Sequence, residues 1–345
     1  MTDFDRDLVR TLLEICRYTY SAGVGDAENG PDREDAKRWL SLNTIPKPLG
    51  EPLSDPILIR GDKDPTSVAC VVPYPSHNVV SYMGTKTEFR QKEFNLTAAK
   101  EIVESLHDWA DNGKMEPVAF TLSRKDIGAG DVNDVTLEGR VHRGFLQQLR
   151  AVQGQIIAEL LNRGGKQRPL IITGHSQGGA EAALATRAFA AAGFAVSVTY
   201  TFAAPRSGTG DYARSITSPV FRIEFGNDIV PHLPMIAIRK ALEDVLSEHN
   251  LLAFISLPLR AALKSLKDFG YVGVGQLCYG SPEEPKLRVP LSAQQEDQLF
   301  ALREKRLALR PQDWGDHHHL AGTTAETRQG LRGNYTALVS DFPIA

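Results

Sequence analysis

A serine with a glycine two residues to either side, Gly174-His175-Ser176-Gln177-Gly178, follows the apolar run Leu170-Ile171-Ile172-Thr173 and opens the alanine-rich segment 179–192. Strand, tight turn and helix in that order are what a nucleophile elbow needs: the serine sits in a strained turn and its hydroxyl projects from the end of a sheet. Glycines on both sides let strand and helix backbones approach where a Cβ would clash. Ser176 is therefore the candidate nucleophile.

A serine hydroxyl is a weak nucleophile near neutral pH and needs a base, itself oriented by a third group. Asp228 stands just past the apolar run Val220–Phe225, where an acid would lie at the carboxyl end of a later strand. Asp211 competes for that role, but it follows Gly208-Thr209-Gly210 and reads as turn chemistry. Beyond Asp228 the histidines are His232, His249 and the run His317-His318-His319. His232 is too near Asp228 in sequence to swing back, and His249 falls in a helical stretch. His318 is the preferred base, with His317 the alternative and His319 still open. The triplet also reads as a metal site with Asp316, although adjacent histidines on a short segment cannot all face one ion. Donors for an oxyanion are expected from the backbone N–H of Gln177 and from Thr85, where Gly84 allows close approach and the hydroxyl offers a second donor.

These residues need a scaffold, and the apolar pattern supplies one. Strand-like runs at 68–72, 79–82, 170–173, 195–202, Val220–Phe225 and 271–277 alternate in part with helical stripes at 7–20, 86–110, 145–161 and 236–267. Ser292 and Gln295 form a capping box before a charged helix at 293–309. Alternation of this kind implies a mostly parallel central sheet with helices on both faces. The segment 21–64 is polar and rich in Gly and Pro, with no identifiable chemistry. No linker or repeat interrupts the chain, so a single domain over 1–345 is expected.

Bulk properties narrow the function. The 345 residues are 42% hydrophobic with a formal net charge of −3, and they contain no long basic run, which argues against nucleic acid as a partner. Cys16, Cys70 and Cys278 are too dispersed for a disulfide framework or a zinc site, so a reduced compartment is expected. The acidic start lacks signal-peptide character and no run reaches the length of a membrane span. A cytoplasmic protein, or one exported without a cleavable signal peptide, is the expectation, with no stable membrane insertion.

Five segments, taken in order, resemble the class 3 lipases, the fungal-lipase-like branch of the α/β-hydrolase fold. Residues 79–85 resemble the oxyanion strand, with Met83 in place of arginine. Val141-His142-Arg143-Gly144-Phe145 resembles the lead into the helix before the nucleophile strand. Residues 172–179 carry the nucleophile motif, with Gln177 where leucine is usual. Residues 201–208 resemble the Pro-Arg-x-Gly element, and Asn227-Asp228-Ile229-Val230-Pro231 matches the acid motif. Thr323 stands where an aromatic residue is expected after the histidines.

The resemblance implies an α/β-hydrolase fold and a carboxylic ester hydrolase acting on acylglycerols. It gives Ser176, Asp228 and a histidine of the cluster as triad, and Thr85 with Gln177 as oxyanion hole. No metal or organic cofactor is implied, and the partner is a small-molecule ester or lipid met at a transient interface. Segment 86–110 occupies the family's lid position, and 236–268 is a longer helical insertion than usual. A phospholipase or short-chain esterase with the same triad is one alternative; a non-catalytic scaffold used for binding is another.

Overall fold

A computed structural model describes residues 4–24, 46–62, 66–85, 115–123, 134–233, 269–309, 317–318 and 335–344. The lid segment 86–110 and the insertion 236–268 lie outside the described residues, as do Asp316, His249 and His319.

The core is a seven-stranded sheet. Its strands are β1 (Ile57–Arg60), β2 (Val68–Pro73), β3 (Asn78–Tyr82), β6 (Leu170–His175), β7 (Val196–Phe202), β9 (Val220–Phe225) and β11 (Gln276–Gly280), side by side in that order. The first three pair antiparallel; from β3 onward every neighbour is parallel. This is the mostly parallel sheet with helices on both faces that the sequence pattern predicts, and it is an α/β-hydrolase fold.

Alternation decides which face each side chain covers. In β3, Val79 points into one apolar cluster while Val80 and Tyr82 point into the other; in β6, Ile171 takes the first side and Leu170 and Ile172 the second. The first cluster is closed by α1 (Arg6–Val24), through Val9, Leu12, Leu13 and Cys16, and by the C-terminal α6 (Tyr335–Ser340). The second is closed by α2 (Arg143–Asn162) and α3 (Gln177–Ala191). Asp5 caps α1 by accepting the Leu8 N–H at 3.0 Å. All three cysteines are buried and unpaired.

A second, antiparallel sheet lies beside the first, in the order β10 (Tyr271–Val272), β8 (Gly208–Thr209), β5 (Val135–His142) and β4 (Pro117–Leu122). Its presence corrects the single strand expected over 271–277. Tyr271 and Val272 pair with β8 in the small sheet, whereas Gln276 onward pairs with β9 in the large one. The chain crosses between sheets at Gly275, whose φ is +89° and where a Cβ would lie 2.4 Å from the Val220 carbonyl oxygen. β1 likewise lies inside the polar, Gly- and Pro-rich stretch 21–64, where the sequence reading assigned no strand. The helix α4 (Gly210–Arg214) carries Asp211, exposed and paired with Arg214 rather than with any histidine. The capping box forms as expected at α5 (Ala293–Leu309): the Ser292 N–H donates to Gln295 Oε1 at 2.9 Å and the Gln295 N–H to Ser292 Oγ at 3.3 Å.

Candidate active site

β6 ends at His175 and α3 begins at Gln177, leaving one residue, Ser176, to make the turn. Its φ of +57° and ψ of −132° lie where only glycine rests easily. What enforces this geometry is contact on both sides. A Cβ on Gly174 would fall 2.1 Å from the Gly178 carbonyl oxygen, and one on Gly178 would fall 2.2 Å from that of Tyr82. Strand and helix therefore touch backbone to backbone. The Ser176 N–H is held by the Phe202 carbonyl at 2.9 Å, and its own carbonyl accepts from Gly179. As the first residue of α3, Gln177 has a backbone N–H with no acceptor inside the helix.

The Ser176 hydroxyl meets His318. Nε2 of His318 lies 2.9 Å from Ser176 Oγ, and its Nδ1 lies 3.1 Å from both carboxylate oxygens of Asp228. Because a carboxylate only accepts, Nδ1 carries the proton and Nε2 is left to accept from the hydroxyl. All three side chains are buried. Asp228 sits in the turn after β9, and its Oδ1 also accepts the Val230 N–H at 2.9 Å.

His317 turns the other way. Its Nδ1 accepts the Asn227 N–H at 2.8 Å and its ring packs on Phe225. Gly226, at φ +51°, makes room for it: a Cβ there would lie 2.4 Å from His317 Nδ1. The two neighbouring histidines thus face different partners, and His318 is the one at the serine. Among the described residues no group of three or more His, Cys, Asp and Glu is arranged to hold a metal ion. His232 is buried against Phe300, and neither of its ring nitrogens has a hydrogen-bond partner among the described residues. Burial and the nearby Arg303, Arg206 and Arg222 hold its imidazole well below the ordinary histidine range.

Side chains that the sequence reading did not assign to the site brace it. Tyr335, from α6, donates its phenol to Asp228 Oδ2 at 2.7 Å and accepts the Phe225 N–H at 3.2 Å. Burial and the charge of Asp228 push that phenol well above the ordinary tyrosine value, so it stays a donor. His175 Nε2 donates to the His318 carbonyl at 2.8 Å, which leaves its Nδ1 to accept from the Tyr20 hydroxyl of α1 at 3.0 Å. Beneath Asp228 runs a buried ionic chain, with Glu224 between Arg222 and Arg303 and the Arg303 guanidinium 3.4 Å from the Asp228 carbonyl. Burial alone would raise the Glu224 carboxyl; the two arginines bring it below its ordinary value instead. No sequence signal marks these contacts, since Tyr335 and Asp228 are 107 residues apart and Arg303 and Glu224 are 79 apart.

Thr85 lies just past β3. Gly84 brings it there, because a Cβ at 84 would sit 2.6 Å from the His175 carbonyl oxygen and 2.9 Å from Ser176 Cβ. The Thr85 hydroxyl, expected as a free second donor, gives its proton to Gln177 Oε1 instead. A hydroxyl has one proton, so that donor is already engaged.

The family described as lipase (class 3) matches residues 86–238, which include Ser176 and Asp228. A secreted mono- and diacylglycerol lipase from Fusarium solani is 30% identical, over 46% of this chain and 46% of that protein, so the chain spans about half the length of this curated relative. Among solved structures, the triacylglyceride lipase of Rhizomucor miehei is 20% identical with a TM-score of 0.44, covering 79% of this chain and 78% of that one. Lipase II from Rhizopus niveus is 18% identical with a TM-score of 0.43, covering 79% and 80%. The segment 86–238 is thus similar to the class 3 lipases.

Proposed function

We propose that the chain is a serine carboxylic ester hydrolase of the acylglycerol lipase type, working by acyl transfer. The observation that carries the reading is the continuous buried chain from the Ser176 hydroxyl through both nitrogens of His318 to Asp228. In the proposed reaction Ser176 Oγ attacks the ester carbonyl while His318 Nε2 takes its proton. Asp228 keeps the proton on Nδ1 and stabilises the imidazolium that forms. The negative oxygen of the tetrahedral intermediate is held by the backbone N–H groups of Gln177 and Thr85. Collapse expels the alcohol, which leaves with the proton from Nε2. Water then attacks the acyl-enzyme by the same path in reverse and frees the carboxylic acid.

The substrate class is supported by the family match over 86–238 and by the Fusarium relative, a mono- and diacylglycerol lipase. That relative is secreted, which favours export over the cytoplasmic alternative. A single domain over 1–345 with a lid at 86–110 and an insertion at 236–268 belongs to the same proposal. Among the described residues no helix is long and apolar enough to cross a membrane, in keeping with transient contact at a lipid interface.

The test is turnover of tributyrin and of a soluble nitrophenyl ester by the parent and by Ser176→Ala. Loss on the order of 10⁴- to 10⁶-fold is expected, together with labelling of the parent, but not the variant, by a fluorophosphonate. Near-parental turnover by Ser176→Ala refutes the mechanism. Preference for phosphatidylcholine over tributyrin moves the assignment to a phospholipase, and an unlabelled parent moves it to a binding scaffold.

A further inference from the structure

We propose that the side chain of Gln177 is a positioning residue for the oxyanion loop, acting through the hydroxyl of Thr85; the proposal rests on the ester-hydrolase reading above. Gln177 stands directly after the nucleophile, where its backbone N–H is all the chemistry asks for. Its side chain does something separate. Oε1 accepts the proton of Thr85 Oγ1, so the one residue of α3 nearest the serine grips the loop that follows β3.

The grip is directional because the other end of the amide is also held. Nε2 donates to Glu181 Oε1 at 3.0 Å and to Gln148 Oε1. Glu181 lies one turn further along α3 and is fully buried; Gln148 lies on α2. Turning the amide over would aim its oxygen at the Glu181 carboxylate, which only accepts, so Oε1 is fixed toward residue 85. Both helices that anchor this amide are packed on the sheet through α2 and α3 side chains. The threonine hydroxyl is consequently held out of the oxyanion hole and used as a tether. What the tether fixes is the backbone at 85, and hence the aim of the N–H groups that must meet the developing charge. Donors of that kind lose effect steeply when displaced by an ångström.

The experiment compares Gln177→Leu, Thr85→Val and the double variant, with Gln177→Met as a second truncation of the amide and Thr85→Ser as a control that keeps the hydroxyl. Turnover is measured on a soluble nitrophenyl ester, alongside the rate and the stoichiometry of fluorophosphonate labelling. Gln177→Leu and Gln177→Met should each lower kcat by roughly ten- to a hundredfold with KM changed by less than about threefold. Labelling should slow in proportion yet still reach one per chain, and the pH profile should keep its shape because the base is untouched. Thr85→Val should lose a similar factor, Thr85→Ser little, and the double variant no more than the worse single.

Parental kcat in either Gln177 variant overturns the proposal, and so do losses that multiply in the double variant. A fall in labelling stoichiometry rather than rate marks a folding role and overturns it too. Thr85→Val with unchanged kcat overturns it whatever the Gln177 variants do. A parent that is not labelled at all refutes the hydrolase reading and this one with it, whereas a labelled parent with inert substitutions refutes this one alone.

Discussion

Replacing His142 with asparagine should remove a large part of the protein's sensitivity to mild acid. His142 is the last residue of β5 and the N-cap of α2, where its Nδ1 accepts the Phe145 N–H at 3.4 Å. The ring stacks on Phe145 at 4.0 Å and its Nε2 has no hydrogen-bond partner among the described residues. Protonation at Nδ1 would destroy the cap and place a cation in the core. Burial accordingly pushes the imidazole down from 6.5 to about 3.

The sign follows from proton counting. Between those two values the unfolded chain binds a proton at this residue that the folded chain refuses, so stability falls as pH drops below about 6.5. At about pH 5 the loss is ~2 kcal/mol, and at about pH 8 it vanishes. His232, also held below its ordinary value, adds a loss of the same sign, but it is present in parent and variant alike. Asparagine caps a helix without titrating, although the lost stacking and smaller volume cost about 1–3 kcal/mol at every pH. Urea unfolding of parent and variant at the two pH values provides the assay. The stability gap between them should narrow by about 2 kcal/mol on going from about pH 8 to about pH 5. An equal gap at both would refute the assignment of a neutral, proton-refusing His142.

Two further substitutions probe the site's supports. Tyr335→Phe removes one charge-assisted bond to Asp228 and leaves the buried Phe225 N–H without its acceptor, so a stability loss of about 2–4 kcal/mol is expected in thermal or urea unfolding. The same variant should lower kcat more than it raises KM, since the carboxylate is loosened but not removed; a variant as stable and active as the parent refutes the bracing role. Gly178→Ala drives a Cβ against the Tyr82 carbonyl, a backbone atom with no room to yield. It should cost about 2–4 kcal/mol and most of the activity, and a folded, fully active Gly178→Ala would show that strand and helix are not in contact as described.

Local chemistry made much of this protein legible before any coordinates. The β6–Ser176–α3 unit was readable because its rule is short-range: an apolar run, glycines at fixed offsets and a helix-forming segment. The capping box at 292–295 and the buried strands 68–73 and 220–225 were readable for the same reason. Harder to see were elements whose burial depends on distant partners. β4 and β5 are half-exposed, and β5 bends at Gly139 (φ +83°), which interrupts the alternation that would have marked it. β10 and β11 read as one run because the hydrophobic pattern crosses Gly273 and Gly275 without revealing that the chain changes sheets there.

By itself the sequence determined the strained turn at Ser176, the kind of sheet that carries it and a short list of candidate acids and bases, since each follows from residues within a few positions of one another. Only the tertiary structure set His317 and His318 apart, because neighbours on one loop have equal local claims and what surrounds them differs: Asn227 and Phe225 on one side, Ser176 and Asp228 on the other. It alone also brought Tyr335 onto Asp228, and it turned the Thr85 hydroxyl toward Gln177. A hydrogen bond depends on distance and direction in space, and chain separation encodes neither.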